Sequence, residues 1–302
     1  MTFKAVAALA ALIVSVACAE AKTFGEMFPG RIYDSPKAKE LVEALDYRDG
    51  AIALGSAAVR LNVPSGFYFL GSEDARRVIV EAWGNPPATA NGVLGMIFPT
   101  GRTPLDDVWG AIITYDEDGY VSDEDAAKID YTTLLKEMQE ATTRGSEQRV
   151  KDGFPSIRLV GWASTPFYDK DTHKLHWAKE LEFGGQALHT LNYDVRALGR
   201  KGVLNINFVA GMDQLREIKA VIPAVMAMPE FEAGARYTDY MPGVDKVAAY
   251  GIGGLIAGKI LSKAGLLALA LVFLKKGWVL VLVALGGLWR WVGRLFRRKP
   301  AA

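Results

Sequence analysis

Residues 114–125 read Thr-Tyr-Asp-Glu-Asp-Gly-Tyr-Val-Ser-Asp-Glu-Asp. Numbered as a calcium loop from Thr114, they put Asp116 at position three, Asp118 at five, Gly119 at six, Ser122 at nine and Asp125 at twelve. Calcium takes such a ring of oxygens, with a glycine where the chain bends sharply. Thr114 stands where an aspartate is usual, Asp125 where the longer glutamate is, and the preceding segment reads as strand rather than helix. The same residues also read as an acidic turn that keeps a loop solvated. A second run, Asp-Lys-Asp-Thr-His-Lys-Leu-His from residue 169, brings Asp169, Asp171, His173 and His176 within eight residues. Zinc can use such a set. In a hairpin, however, His176 falls on the strand and His173 in the turn, and a polar turn beside a half-buried histidine gives the same pattern.

Other chemistry is weakly marked. Glu180 and Glu182 alternate on one strand face and read as an acid pair or as a solvated face. Gly253, Gly258 and Lys259 have the spacing of a phosphate loop, but Ile260 replaces the hydroxyl residue that would hold magnesium. No G-x-S-x-G, H-E-x-x-H or C-x-x-C occurs. Trp83, Trp109, Trp162 and Trp177 are core candidates, one or two of which could line a groove for a peptide or lipid.

The elements that must position these residues alternate between strands and helices. Residues 51–63 read as strand up to Pro64-Ser65-Gly66, with a short strand at 67–70 and a helix opened by Ser72 and running to Trp83. Residues 93–98 and 108–115 read as strands around a Gly/Pro turn, and Asp130 caps a helix with Leu134, Leu135, Met138 and Ala141 at helical spacing. Residues 156–163 and 175–183 are strands around a polar turn, and 188–197 and 202–210 form a hairpin. In the last strand Leu204, Ile206 and Phe208 share one face and Asn205 and Asn207 the other. A helix follows, with Leu215, Ile218, Ile222 and Val225 on one side. The pattern predicts an α+β domain, a mainly antiparallel sheet with helices packed on it, built from two halves that hint at duplication.

The two ends differ from the middle. Lys4, an apolar run over 5–17 and Ala19-Glu20-Ala21 predict a signal peptide over 1–21, with a lipoprotein box at Cys18 as the alternative. Residues 247–289 are mostly Ala, Gly, Leu, Val and Ile, interrupted by four lysines and followed by an Arg-rich end. They predict a C-terminal transmembrane helical tail with the C-terminus in the cytoplasm, one version being a span over 247–274 and another a hairpin with two crossings, while a core helix buried in the domain gives the same composition. Gly254 and Gly258 make a GxxxG step suited to helix association. The division predicted is therefore a signal peptide at 1–21, a periplasmic α+β domain at 22–243 and a membrane anchor at 244–302, placing the chain at a bacterial inner membrane.

The chain has 302 residues, is 50% hydrophobic and has a net charge of +1. From Val244 onward ten Lys/Arg face one acid, a net of +9, so the preceding residues, with 25 Lys/Arg and 33 Asp/Glu, carry −8. An acidic domain without a basic run argues against nucleic-acid binding. The single cysteine, Cys18, excludes a disulfide or thiolate metal site in the rest of the chain.

Trp83-Gly-Asn-Pro-Pro, Tyr115-Asp-Glu-Asp-Gly-Tyr-Val, Gly161-Trp162, Pro166-Phe-Tyr-Asp169, residues 191–200 and Asp245-Lys-Val-Ala-Ala-Tyr-Gly251 together resemble one bacterial family, the membrane-anchored proteins grouped as domain of unknown function 2167. The resemblance covers nearly the whole mature chain and implies an exported domain with a C-terminal anchor, and no activity. Residues 202–208, the helix after them and Met228-Pro-Glu-Phe231 are similar to the closing strand and helix of PsbP/Mog1-type α/β/α sandwiches, a likeness of fold alone. The function expected is a membrane-anchored envelope protein, not an enzyme, that binds membrane lipid through its tail and a homo-oligomeric or other envelope partner through its domain, without a cofactor. The alternatives are a membrane-tethered metal-dependent hydrolase using Asp169, Asp171, His173 and His176, and a calcium-responsive sensor using Asp116, Asp118, Ser122 and Asp125.

Overall fold

The computed structural model describes residues 21–258. The described residues begin with β1 (Ala21–Lys22), α1 (Phe24–Met27) and α2 (Pro36–Glu43). The Ser35 hydroxyl accepts from the Ala38 amide ahead of Pro36, so α2 starts with a side-chain cap and a preset φ. Then come β2 (Tyr47–Arg48), β3 (Gly50–Leu54), β4 (Val59–Val63), β5 (Phe67–Gly71) and α3 (Ser72–Arg77). The single strand expected over 51–63 is two, because the chain turns at 55–57 and Ala58 takes a φ of 49°. Ser72 is not the cap of α3. Gly71 holds that position, and the Ser72 hydroxyl donates to the Val93 carbonyl at 2.7 Å.

After β6 (Val93–Pro99) and β7 (Gly110–Asp116), α4 (Tyr131–Lys151) starts where Asp130 accepts from the Thr132 and Thr133 amides, as the sequence predicts. The second half runs through β8 (Ile157–Asp169), β9 (Lys174–Phe183), β10 (Thr190–Leu198), β11 (Val203–Gly211), α5 (Leu215–Ala227), β12 (Pro229–Phe231) and α6 (Ile252–Ala257). Nine strands form one sheet in the order β1-β2-β5-β6-β7-β11-β10-β9-β8, and β12-β4-β3 form a second, smaller one. The meanders of the two halves join where β7 pairs antiparallel with β11.

Strand alternation divides the large sheet's apolar residues between two cores. On one face, Tyr193, Val195, Ile206 and Phe208 share a core with Leu61 of β4 and with Ile218, Ile222 and Val225 of α5. On the other, Leu175, Trp177, Leu198 and Val203 share a core with Leu134 and Met138 of α4 and with Ile252, Leu255 and Ile256 of α6. A third cluster packs α2 and α3 against Tyr68, Met96 and Phe98.

The second of these cores corrects the expected C-terminal tail. Among the described residues no helix is long and apolar enough to cross a membrane. The span over 247–274 fails at its start, because Ile252, Leu255 and Ile256 are buried in the domain at 0%, 8% and 2% exposure. The transmembrane part of the predicted fold class and the inner-membrane placement that rested on it fall with that span. Apolar residues here mark a core helix of six residues, which composition does not distinguish from the start of a membrane segment. The Gly254 step also has a local explanation. A Cβ there would lie 2.5 Å from the Tyr250 Cβ, so the glycine makes room for the preceding turn. The expected signal peptide, apart from Ala21, and the remainder of the tail lie outside the described residues.

Burying the three aliphatic side chains of α6 contributes about 3–6 kcal/mol at most. A chain ending at Gly243 should therefore unfold at clearly lower urea concentration than one ending at Gly258. Equal midpoints would show that residues 244–258 add nothing to the fold.

Candidate ligand-binding site

The acidic loop is built around residues 245–253 of the same chain. Gly119 takes a φ of 108°, and a Cβ there would sit 2.5 Å from the Lys246 carbonyl oxygen. That close approach lets the Tyr120 amide donate to Lys246 and the Tyr120 carbonyl accept from Ala248, both at 2.8 Å. The Asp125 carboxylate accepts from the amides of Ile252 at 2.9 Å and Gly253 at 3.0 Å, the first donors of α6. Helix starts leave such amides without intrahelical partners. Asp118 accepts from the Tyr250 hydroxyl at 2.5 Å, and Asp116 from the Asn205 amide at 3.0 Å. Burial, with the Asp118 charge, pushes the Tyr250 hydroxyl well above its usual range. Ser122 accepts from the Glu124 amide. The Arg200 guanidinium completes the clamp with two bonds to Asp245, at 2.8 and 2.9 Å.

The His/Asp run is likewise occupied. Asp169 accepts from the Asp171 and Thr172 amides and the Thr172 hydroxyl, which shapes the turn between β8 and β9. These bonds hold the Asp169 carboxyl below the usual range. His173, at a φ of 52°, lies against Tyr237 with ring centroids 4.2 Å apart, and its Nδ1 is 3.3 Å from the Tyr168 hydroxyl. That hydroxyl donates to Asp123 at 2.8 Å. His176 lies on the opposite side of the sheet, with Nδ1 3.1 Å from the Tyr193 hydroxyl. The two histidines therefore face different cores and do not converge. Glu180 is hydrogen-bonded to His189 Nδ1 at 2.5 Å and Glu182 is ion-paired with Arg158, so both carboxylates of the acid pair already have partners. Among the described residues no group of three or more His, Cys, Asp or Glu could hold a metal ion. This overturns the calcium-sensor and metal-hydrolase readings. The envelope-anchored reading loses its support with the membrane span.

What the sequence did not single out is a polar stripe across the face that α4 and α6 cover. Asn192, Asp194 and Arg196 alternate along β10, and the register sets Asp194 opposite Trp177 on β9 and Asn207 on β11. Asp194 is 2% exposed. Its carboxylate is paired with the Lys179 ammonium and the Arg196 guanidinium, both at 2.9 Å, and accepts from the Asn207 amide at 2.9 Å. Burial alone would raise the Asp194 carboxyl, but the two cations and Asn207 outweigh it and hold it below the usual range. The Arg196 guanidinium also lies over the Trp177 ring, 5.1 Å from its centroid. The available sequence signal was the alternation itself, a polar residue at every second position of a strand whose other face is apolar.

Above this stripe lies a cavity of about 390 Å³ between α4, β8–β10 and α6. Its apolar wall includes Met138, Leu159, Leu181, Leu255 and Ile256, and its cations are Arg149, Lys179 and Arg196. Among the described residues no Asp, Glu, His or Cys lines it. Trp177 forms part of the lining, and its buried indole Nε1 has no hydrogen-bond partner among the described residues. The two hydroxyl side chains of the lining are engaged with backbone. Thr142 donates to the Met138 carbonyl and Ser146 accepts from the Ile157 amide.

The family model described as "Protein of unknown function (DUF2167)" matches residues 46–286. Among curated proteins none matches this chain. One solved structure similar to it is the solution structure of cyanobacterial PsbP (CyanoP) from Synechocystis sp. PCC 6803. The two share 11% identity over 60% of this chain and 91% of that one, with a TM-score of 0.34. At that score the likeness carries no argument, and the PsbP/Mog1 expectation gains nothing from it.

Two predictions follow from the geometry of the loop and the hairpin. Asp125→Ala removes the acceptor of two backbone amides and should cost about 1–2 kcal/mol in urea unfolding, with Asp125→Asn keeping most of the stability. Unchanged stability in Asp125→Ala would show that the carboxylate does not hold α6. Burial pushes the His176 imidazole below its usual 6.5, against the smaller opposing effect of Asp169. As pH falls, the unfolded chain takes up that proton first, so His176 contributes its full stability above about 6.5 and loses it as pH drops through the lower folded value. Unfolding free energy measured against pH should fall on acidification, and less steeply in His176→Gln. Parallel slopes in the two proteins would contradict this.

Proposed function

Since the chain belongs to the family described as protein of unknown function (DUF2167), we propose its function from the site: a small-molecule-binding domain that takes an amphipathic anion in the cavity between α4, the large sheet and α6. The observation that carries this reading is the lining itself, which among the described residues sets Arg149, Lys179 and Arg196, the last two sharing the single buried carboxylate of Asp194, beside an apolar wall. Cations in a concave site with low-dielectric walls attract an anion more strongly than they would at a flat open surface. The apolar wall adds about 25 cal/mol for each Å² of ligand surface it takes from water. An organic anion with a hydrocarbon body satisfies both, and a bare inorganic ion or a neutral hydrocarbon satisfies only one.

Binding fits the lining better than catalysis. Among the described residues no His, Cys or carboxylate lines the cavity as nucleophile or base for a hydroxyl, and Thr142 already donates to the Met138 carbonyl. The wall from α6 also explains why the domain invests in docking residues 244–257, since without Leu255 and Ile256 the cavity would open on that side.

Calorimetry with dodecanoate below its micelle concentration tests the reading, with dodecyltrimethylammonium as the control of equal chain length. Dodecanoate should bind in the micromolar range, octanoate more weakly, and Lys179→Met should weaken dodecanoate binding by at least about ten-fold, a loss of roughly 1.4 kcal/mol. Equal affinity for the cationic amphiphile, or no binding of either, would overturn it.

A further inference from the structure

We infer that Asp194 sets the charge of the head-group subsite, so that the cavity selects a singly charged oxyanion such as a carboxylate over a dianionic phosphate monoester. The inference deepens the reading of the cavity as an anion site and rests on it.

Lys179 and Arg196 are the two cations at the cavity floor, and one carboxylate is shared between them. Lys179 is paired with one Asp194 oxygen and Arg196 with the other, each at 2.9 Å. Two positive charges and one buried negative charge leave a local net of +1. Arg149 does not add to this floor. Its Nε donates to the Pro155 carbonyl at 2.8 Å, and its guanidinium lies over the rings of Phe154 and Phe183, so it belongs to the solvated rim. Asn207 donates to Asp194 and to Asn192, which fixes the carboxylate and keeps its charge directed at the two cations.

A monoanion entering this floor brings the local charge to zero. A dianion leaves one negative charge without a buried partner, and desolvating such a charge is costly.

Asp194 is thus a specificity-determining residue that need not touch the ligand. The test compares dodecanoate with dodecyl phosphate by calorimetry at about pH 8.5, where the phosphate is dianionic, in the full chain and in Asp194→Asn. The unaltered protein should prefer dodecanoate by at least about ten-fold. Asp194→Asn, which raises the floor to +2, should shift that ratio at least about ten-fold toward dodecyl phosphate, and circular dichroism checks that the variant is folded. A folded Asp194→Asn with an unchanged ratio overturns the inference while leaving the cavity reading standing. If the variant does not fold, the ratio in the unaltered protein decides, and equal affinities or a preference for dodecyl phosphate overturn the inference. Failure of both probes to bind overturns the cavity reading and this inference with it.

Discussion

The cavity depends on how residues 244–257 dock on the domain. Residues 244–257 are held on the domain mainly by polar contacts from a loop more than a hundred residues earlier in the chain: Asp125 to the Ile252 and Gly253 amides, Asp118 to the Tyr250 hydroxyl, and Tyr120 to the backbone of Lys246 and Ala248. A helix of six residues has little stability of its own, because most of its turns are ends. Its position is set by the loop that caps it and by the burial of Ile252, Leu255 and Ile256. Once docked, the same helix supplies one wall of the cavity. The acidity of the loop is accounted for by its work as an acceptor of chain donors, without an ion.

The second constraint is a charge buried in a sheet. An apolar residue in place of Asp194 would avoid the desolvation of a carboxylate, and buried ion networks are often no more stabilising than packed hydrocarbon. What the carboxylate provides is placement. It holds Lys179 and Arg196 at defined positions on a wall where free lysine and arginine side chains would otherwise extend toward water. Trp177 beneath the Arg196 guanidinium fixes that group from the other side. The cost to folding stability and the gain in a preorganised cationic floor come from the same residue, the kind of trade-off that functional sites show.

What could be read from the sequence was what neighbours in sequence decide. The Asp130 cap, the helical spacing of Leu134 and Met138, and the two-residue alternation of β10 and β11 depend on residues a few positions apart, and the structure has them where the pattern predicts. Gly119 was recognisable as a bend, but its reason, the Lys246 carbonyl, lies far along the chain. The same distance hid the role of Asp125. Apolar composition misled at residues 247–257, because a short helix buried in a core and the start of a membrane segment use the same residues. His173 and His176 looked adjacent because they are three apart, yet the turn and the pleat send them to different cores. Asp194 and Arg196 were visible as charges on alternating positions, but only strand register shows that they share one face with Lys179 of the neighbouring strand.

The two ends of the polar stripe have different fates, and this locates the function within the sheet. Toward β7, Asn205 bonds to Thr114 and Asp116, which ties the stripe into the loop that clamps α6. Toward β9, the stripe opens into the cavity through Lys179 and Trp177. One row of side chains therefore joins the clamp that positions the cavity wall to the cations that form its floor. A change in charge at Asp194 acts on the floor, and a change at Asp116 or Asp125 acts on the wall. The two are mechanically linked through β11 yet chemically separate, because the floor selects for charge while the wall, made of Leu255 and Ile256, selects for hydrocarbon. An amphipathic anion is the class of molecule that uses both.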